Sequence, residues 1–346
     1  MKKKRIGIIG YGVVGKRRRQ FIDAHPALET VAVSDTTFQS NVGEIDGVKA
    51  YRDHKQLLTE ELDAIFVSVP NYLAPEITIA GLKKGIHVFC EKPPGRSVED
   101  IESVIAVERT QPGIVLKYGF NHRYHDSVQE TLRIIKSGEL GDIINMQGVY
   151  GKGRIVNPAI ATWRAKREFA GGGILLDQGI HMLDLMRLFC GEFYDVHSFI
   201  SDDFWEHDVE ENAFAIMKDT KGRVASIHSS GTLWEHTFSL HIYLTEGYLK
   251  LSGILSSSRS YGEETLSIGR RSDSDQGTLE SKVVKYLEDT SWKTEIDEFA
   301  NAITGQGSTK SGTSDEALQT MKLVYRIYYA DPEWRAKYNI PNPDQS

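Results

Sequence analysis

Three glycines constrain this chain more than any other feature. Ile6-Gly7-Ile8-Ile9 is a short apolar run of the kind a buried strand makes. Gly10-Tyr11-Gly12-Val13-Val14-Gly15 follows it at once, ahead of a helical stretch reaching about Ala24. Between a strand and a helix each glycine has a task. Gly10 permits the tight turn, Gly12 lets a pyrophosphate approach the backbone, and Gly15 lets the helix pack closely on the strand. The free N–H groups and dipole at the helix start favour an anion there. Asp35 lies 20 residues beyond Gly15, at the end of a second strand, Thr30–Asp35. A carboxylate there accepts hydrogen bonds from both ribose hydroxyls and repels a 2′-phosphate, and neither Thr36 nor Thr37 supplies a cation. The pattern therefore predicts a dinucleotide site for NAD rather than NADP. Glycines in a mere tight turn are the competing reading, and the coincidence of all the parts weighs against it.

The next hundred residues keep the same rhythm. Strands are expected at Leu62–Val69, His87–Cys90 and Ile114–Tyr118. They alternate with a helix that starts at Pro75 and stops at Gly85, and with one capped by Ser97. Strands alternating with helices imply a parallel sheet covered on both faces. From about Asn145 the rhythm changes. Phe238, Leu240, Ile242 and Leu244 alternate with polar neighbours, and Glu246-Gly247 turns into Tyr248–Leu251. Asn212–Lys218 and Val224–Ser229 flank a second turn. Hairpins imply an antiparallel sheet with helices over one face. Those helices are expected at Val128–Lys136, at Ile174–Phe189, along Trp292, Ile296, Phe299 and Ile303, and after a capping box of Thr313 and Glu316. Ser256–Ser281 reads as an exposed polar loop. The expected fold class is α/β: a doubly covered parallel sheet with the dinucleotide site over residues 1–121, then an α+β domain with an antiparallel sheet over residues 122–346.

Composition narrows the function. Among 346 residues, 48 acids against 41 bases give a net charge of −7. No general attraction to nucleic acid or anionic membrane is expected. Two cysteines, Cys90 and Cys190, cannot make a disulfide framework and suit a reducing compartment such as the cytoplasm. The apolar run after the basic start is too short for a signal peptide, and no later stretch approaches a membrane span. Lys16, Arg17, Arg18 and Arg19 read as a solvated helix face.

Three further segments carry candidate chemistry. Lys92, after the strand His87–Cys90, sits where ligands of open α/β sheets bind, and a lysine beside a cationic nicotinamide should titrate low. A surface lysine before a proline turn is the alternative. Gly171-Gly172-Gly173 permits a sharp entry and close approach by a ligand before Ile174–Asp184. Asp177 and His181, four residues apart, share one face of that helix, and Asp184 continues the stripe. Either His181 exchanges a proton while Asp177 orients the substrate, or the two form a hydrogen-bonded buried pair. A metal site lacks a third ligand nearby, so none is expected, and Asp184 reads as structural. Arg123, in Tyr118–Tyr124 at the crossing into the second domain, and Trp163-Arg164 are candidates to line a substrate cleft. His122 and His125 read as ordinary loop or helix-entry residues.

Together these segments resemble the glucose–fructose oxidoreductase/inositol dehydrogenase/MocA (Gfo/Idh/MocA) oxidoreductase family. The likeness rests on Gly10–Gly15, Asp35, Val69-Pro70-Asn71, Gly85–Pro93, Gly119–Tyr124 and Gly171–Asp184. It implies catalytic positions at Lys92, Asp177 and His181. It implies cofactor contacts from Gly10, Tyr11, Gly12, Val13, Val14, Gly15, Asp35, Pro70, Asn71, Glu91 and Lys92. Where the family often has a histidine three residues after that asparagine, this chain has Ala74, which clouds any substrate inference. The implied activity is NAD(P)-dependent interconversion of a secondary alcohol and a ketone on a sugar, a cyclitol or, the favourite, a nucleotide-linked sugar. Arg123, Trp163 and Arg164 would bind that substrate, in a site shared across the domain boundary. The fold that the likeness implies is an N-terminal Rossmann domain and a C-terminal α+β domain with a large open, mostly antiparallel sheet, and that sheet implies a homodimer or homotetramer. An NAD-binding regulator without turnover and a lyase or glycosidase using tightly held NAD are the alternatives.

Overall fold

The computed structural model describes residues 2–40, 42–154, 162–256, 259–271 and 280–345. The chain forms two compact units. Unit 1 comprises Met1–Asn121 and Trp292–Leu318, and unit 2 comprises His122–Ser291 and Gln319–Ser346.

Among the described residues, unit 1 holds a seven-stranded sheet built from β1 (Lys4–Ile9), β2 (Leu28–Ser34), β3 (Val42–Ile45), β4 (Val48–Tyr51), β5 (Ala64–Val67), β6 (His87–Glu91) and β7 (Leu116–Gly119). The spatial order is β3-β4-β2-β1-β5-β6-β7, and every pairing is parallel except β3 with β4. The helices α1 (Val13–Ala24), α2 (His54–Leu57), α3 (Ala74–Lys83) and α4 (Val98–Glu108) occupy the crossovers. Strand β5 is buried along its whole length, as a strand covered on both faces must be. The Ser97 hydroxyl accepts from the Asp100 N–H and caps α4. The β3–β4 hairpin was not expected from the sequence.

A contiguous first domain ending at residue 121 needs one correction. The helix Ser291–Ile303 belongs almost wholly to unit 1, because Ile296, Phe299, Ala300 and Ile303 complete its core against Ile6, Ile8, Phe66 and Phe89. Phe66 and Phe89 stack with centroids 4.7 Å apart, and Phe299 meets both edge-on. Each buried phenylalanine contributes about 1.5–3 kcal/mol, so the sheet recruits a helix from far along the chain.

Unit 2 carries an eight-stranded sheet among the described residues: β8 (Ile143–Gly151), β9 (Phe193–Ser201), β10 (Asn212–Asp219), β11 (Val224–Ser230), β12 (Thr237–Leu244), β13 (Gly247–Ser252), β14 (Glu264–Arg270) and β15 (Glu280–Tyr286). Its order is β15-β14-β13-β12-β8-β11-β10-β9, antiparallel throughout except for β8 with β11. Helices α5 (Asp126–Ser137), α6 (Arg167–Ala170) and α7 (Ile180–Cys190) follow in chain order. Strand β12 alternates strictly between buried and half-buried residues, as its period of two predicts. The polar stretch Ser256–Ser281 is not all loop. It contains β14, where Leu266 is buried between partly exposed Thr265 and Ser267; residues 257–258 and 272–279 lie outside the described part. The Thr313–Glu316 capping box forms reciprocally at the start of the helix Ser314–Ala330.

Candidate functional site

The glycine loop of unit 1 is shaped from within. Gly10 has φ +89°, and a side chain there would strike the Ser68 carbonyl, while one at Gly15 would strike the Gly10 carbonyl. Gly12 differs, because a Cβ there would meet nothing within 4 Å. The free space over Gly12 lies at the N-terminus of α1, where Val13 is 76% exposed. An open backbone at a helix start fits a pyrophosphate. Tyr11 is buried, and Pro70 and Asn71 lie just beyond β5. Asp35 follows β2 and accepts from the N–H and hydroxyl of Thr37 at 3.0 and 2.7 Å.

One expectation on this unit changes. The basic run of α1 is not a solvated face: Arg18 is fully buried. Its Nε donates to Glu91 Oε1 at 2.5 Å, its NH2 lies 2.8 Å from Glu295 Oε2, and its guanidinium stacks on Phe89 and Trp292. A charge of this size is buried only when paired. Glu91, expected at the cofactor, is thereby engaged by Arg18. It ties the end of β6, and hence the half-buried Lys92 that follows, to the glycine-loop helix.

The site segment of unit 2 begins at the triple glycine. Here the protein's own chain comes close: Cβ atoms at Gly172 and Gly173 would strike Tyr328 and the Glu210 backbone. The buried Glu210 carboxylate accepts from the Gly173 and Leu175 N–H groups and from the Tyr328 hydroxyl, at 2.7, 3.0 and 2.6 Å. Burial pushes this carboxyl up, against the pull of those donors. So anchored, the chain does not run as one α-helix from Ile174. Leu175–Gly179 form a single π turn, and α7 starts only at Ile180. A π turn inserts one residue into the ladder and recurs at functional sites. Asp177 lies inside the turn and His181 at the start of α7.

The half-buried Asp177 faces two cations, Lys152 Nζ at 3.2 Å and Arg164 Nε at 3.6 Å, and accepts from the Gln178 amide. Arg164 also lies over the Trp163 ring, 4.5 Å from its centre. Of the expected substrate residues, Trp163 and Arg164 are therefore gathered at Asp177. Arg123 is not. It is buried, and its guanidinium grips Asp184 with two hydrogen bonds of 2.6 and 2.7 Å. Asp184 also accepts from Thr320. The expected row of Asp177, His181 and Asp184 is thus divided: its last member is structural, with Arg123 as its partner.

His181 is 3% exposed and lies flat on His122, a residue read from the sequence as ordinary. Lys152, Tyr150 and Tyr261 were not singled out at all. The Tyr150 hydroxyl is 3.0 Å from His122 Nε2, and Tyr261 donates to the Gln178 side chain. Burial first, then neighbouring Tyr261 and Asp177, raises the Tyr150 hydroxyl well above its ordinary value. Only Tyr150 carried a local signal, as a buried-face residue of β8. Among the described residues, no group of three or more His, Cys, Asp or Glu side chains is placed to hold a metal ion, and no helix is long and apolar enough to cross a membrane.

Two family models match the chain. One, an oxidoreductase family with an NAD-binding Rossmann fold, covers residues 4–119; the other, a GFO/IDH/MocA C-terminal domain, covers residues 128–250. D-glucoside 3-dehydrogenase of Escherichia coli K12 is 31% identical over 267 residues, which are 69% of this chain and 71% of that protein. D-xylose 1-dehydrogenase (NADP(+)) 2 of Haloferax volcanii is 24% identical across 93% of this chain and 95% of its own. Levoglucosan dehydrogenase of Pseudarthrobacter phenanthrenivorans is 26% identical over 58% of this chain, an alignment spanning only 55% of that relative. A solved structure of levoglucosan dehydrogenase with NADH and L-sorbose covers 96% of this chain and 98% of its own, with a TM-score of 0.83 at 20% identity. At that identity the likeness is one of fold.

Proposed function

The chain belongs to the Gfo/Idh/MocA oxidoreductase family, and from that premise we propose that it is an NAD-dependent dehydrogenase. Its substrate is a secondary alcohol of a sugar or cyclitol, or the matching ketone in reverse. The observation that carries the reading is the pairing, within one anchored segment, of a buried imidazole at His181 with a carboxylate at Asp177 that faces Lys152 and Arg164.

Bound nicotinamide supplies the hydride acceptor. Every other duty falls to the chain's own backbone and side chains. Gly10–Gly15, with Tyr11, Val13 and Val14, cradle the pyrophosphate, and Asp35, Pro70 and Asn71 complete the cofactor contacts. The Asp35 carboxylate disfavours a 2′-phosphate, which supports NAD over NADP. His181 takes the hydroxyl proton on a ring nitrogen as the alcohol becomes a ketone. Asp177 fixes the hydroxyl through a hydrogen bond, and Lys92 donates to the same oxygen. Trp163 offers an apolar ring face to the substrate. With Arg123 committed to Asp184, the case for a nucleotide-linked sugar rests on Arg164 and Trp163 alone. The scarcity of cysteine supports a cytoplasmic location. Exposed Phe199, Phe214 and Ile216 on β9 and β10 support assembly of like chains through that sheet face.

The test is NAD reduction across a panel of sugars and cyclitols. His181→Ala should lower turnover at least about a hundredfold while NAD binding persists. Turnover unchanged in that variant would sink the role. Tight NAD binding with no turnover on any substrate would favour a regulator instead.

A further inference from the structure

The ring of His122 covers one face of His181. The centroids are 3.6 Å apart and the planes 10° from parallel. Ring N–H bonds lie in the ring planes, so stacked imidazoles aim no N–H at one another, and no proton passes directly between them. The contact acts through position and charge. Both rings are buried, at 8% and 3% exposure, and two imidazolium ions face to face in such surroundings would repel strongly.

We propose that His122 is a positioning residue for His181: it fixes the plane of the catalytic imidazole, and the stacked pair holds no more than one proton. The proposal rests on the reading of His181 as proton acceptor. The proposal gives the first proton to His122, whose Nε2, once protonated, can donate to the Tyr150 hydroxyl at 3.0 Å. His181 then stays a free base to lower pH than a lone histidine.

The charges around the pair support this. His125 stands edge-on to His122 at 5.5 Å and is itself bonded to Glu264 at 2.8 Å. Burial alone would raise the Glu264 carboxyl, but His125, Ser127 and the Leu255 N–H outweigh it and hold the carboxyl down. One turn before His181, Asp177 is matched by Lys152 and Arg164, and beyond it Asp184 is matched by Arg123. Tyr150 and Tyr261 have hydroxyls pushed up by burial, His236 stacks on Tyr261, and Asp289 lies 4.0 Å from His125 Nε2. Asp177 and Asp184 already face Lys or Arg, and Glu264 and Asp289 lie against His125, so a second proton on the stacked rings meets the repulsion of the first.

Two variants of the full chain, saturated with NAD, test the idea. His122→Phe keeps a flat ring against His181 and removes the titrating partner. His122→Gln keeps a hydrogen-bonding group near Tyr150 and also removes it. In both, the His181 imidazole, followed by NMR of histidine-labelled protein, should titrate about one pH unit higher than in the parent. The acid limb of kcat/KM should move up equally, with NAD affinity unchanged. His122→Gln, lacking the ring plane, should also lose about tenfold in kcat while His122→Phe loses less. An unmoved His181 titration in both variants overturns the proposal. The NMR readout needs no substrate, so it stands even if the dehydrogenase reading fails.

Discussion

Arg18 Nε donates to Glu91 Oε1 at 2.5 Å, which joins the helix behind the glycine loop to the strand end that precedes Lys92. Glu295, a second carboxylate on the same guanidinium, is fully buried, and that burial raises it to about 7 despite Arg18 and Lys117. A carboxyl raised in the folded state binds its proton more tightly there than in the unfolded chain. Its contribution to stability is therefore complete below pH ~4.5 and is lost as pH rises through about 7. Denaturant titrations at pH 5 and pH 8 should show Glu295→Gln losing less stability than the parent over that interval, by roughly 2–3 kcal/mol. Arg18→Met should cost about 3–5 kcal/mol at pH 8, because it strands two carboxylates.

Gly10 and Gly12 should separate folding from cofactor binding. Gly12→Ala enters open space at an unstrained backbone (φ −79°). Its melting temperature should match the parent, while its NAD affinity falls at least about tenfold as the methyl meets the phosphates. Gly10→Ala forces a side chain into a left-handed backbone and onto Ser68. It should lower the melting temperature whether or not NAD is present.

Arg123 and Asp184 should behave as a structural pair. Asp184→Ala leaves a buried guanidinium unmatched and should cost about 3–5 kcal/mol in urea unfolding. Arg123→Met with Asp184→Leu together should recover most of that loss. If Arg123 served the substrate instead, the double variant would regain stability but show a raised KM.

The face of β10 that carries Phe214 and Ile216, 49% and 59% exposed, should be covered by a second copy. Phe214→Glu with Ile216→Glu should halve the mass seen by light scattering and leave the secondary structure intact. An unchanged mass would place the contact elsewhere.

Local rules reached a long way along this chain. Gly10 and Gly15 needed only their neighbours to declare a strand–turn–helix, Thr313 and Glu316 declared a capping box, and the alternation from Phe238 to Leu244 declared a strand. Each signal acts within a few residues and is written in the backbone's own needs. The candidate segment around Asp177 and His181 was legible for a related reason, since polar groups in an apolar run require partners. What those partners are was not legible. The charge of Arg18 is answered by Glu91 and Glu295, that of Arg123 by Asp184, and Asp177 is met by Lys152. Nothing local distinguishes the buried Arg18 from its half-buried neighbour Arg17, or marks His122 as the ring beneath His181. The sequence by itself determined most of the elements and the candidate segment around Asp177 and His181, but not the β3–β4 hairpin, β14 or the π turn at Leu175–Gly179. Only tertiary packing decided which of those residues remain for a ligand and which neutralise one another, because a buried charge finds its counter-ion through space, at separations along the chain that no periodicity records.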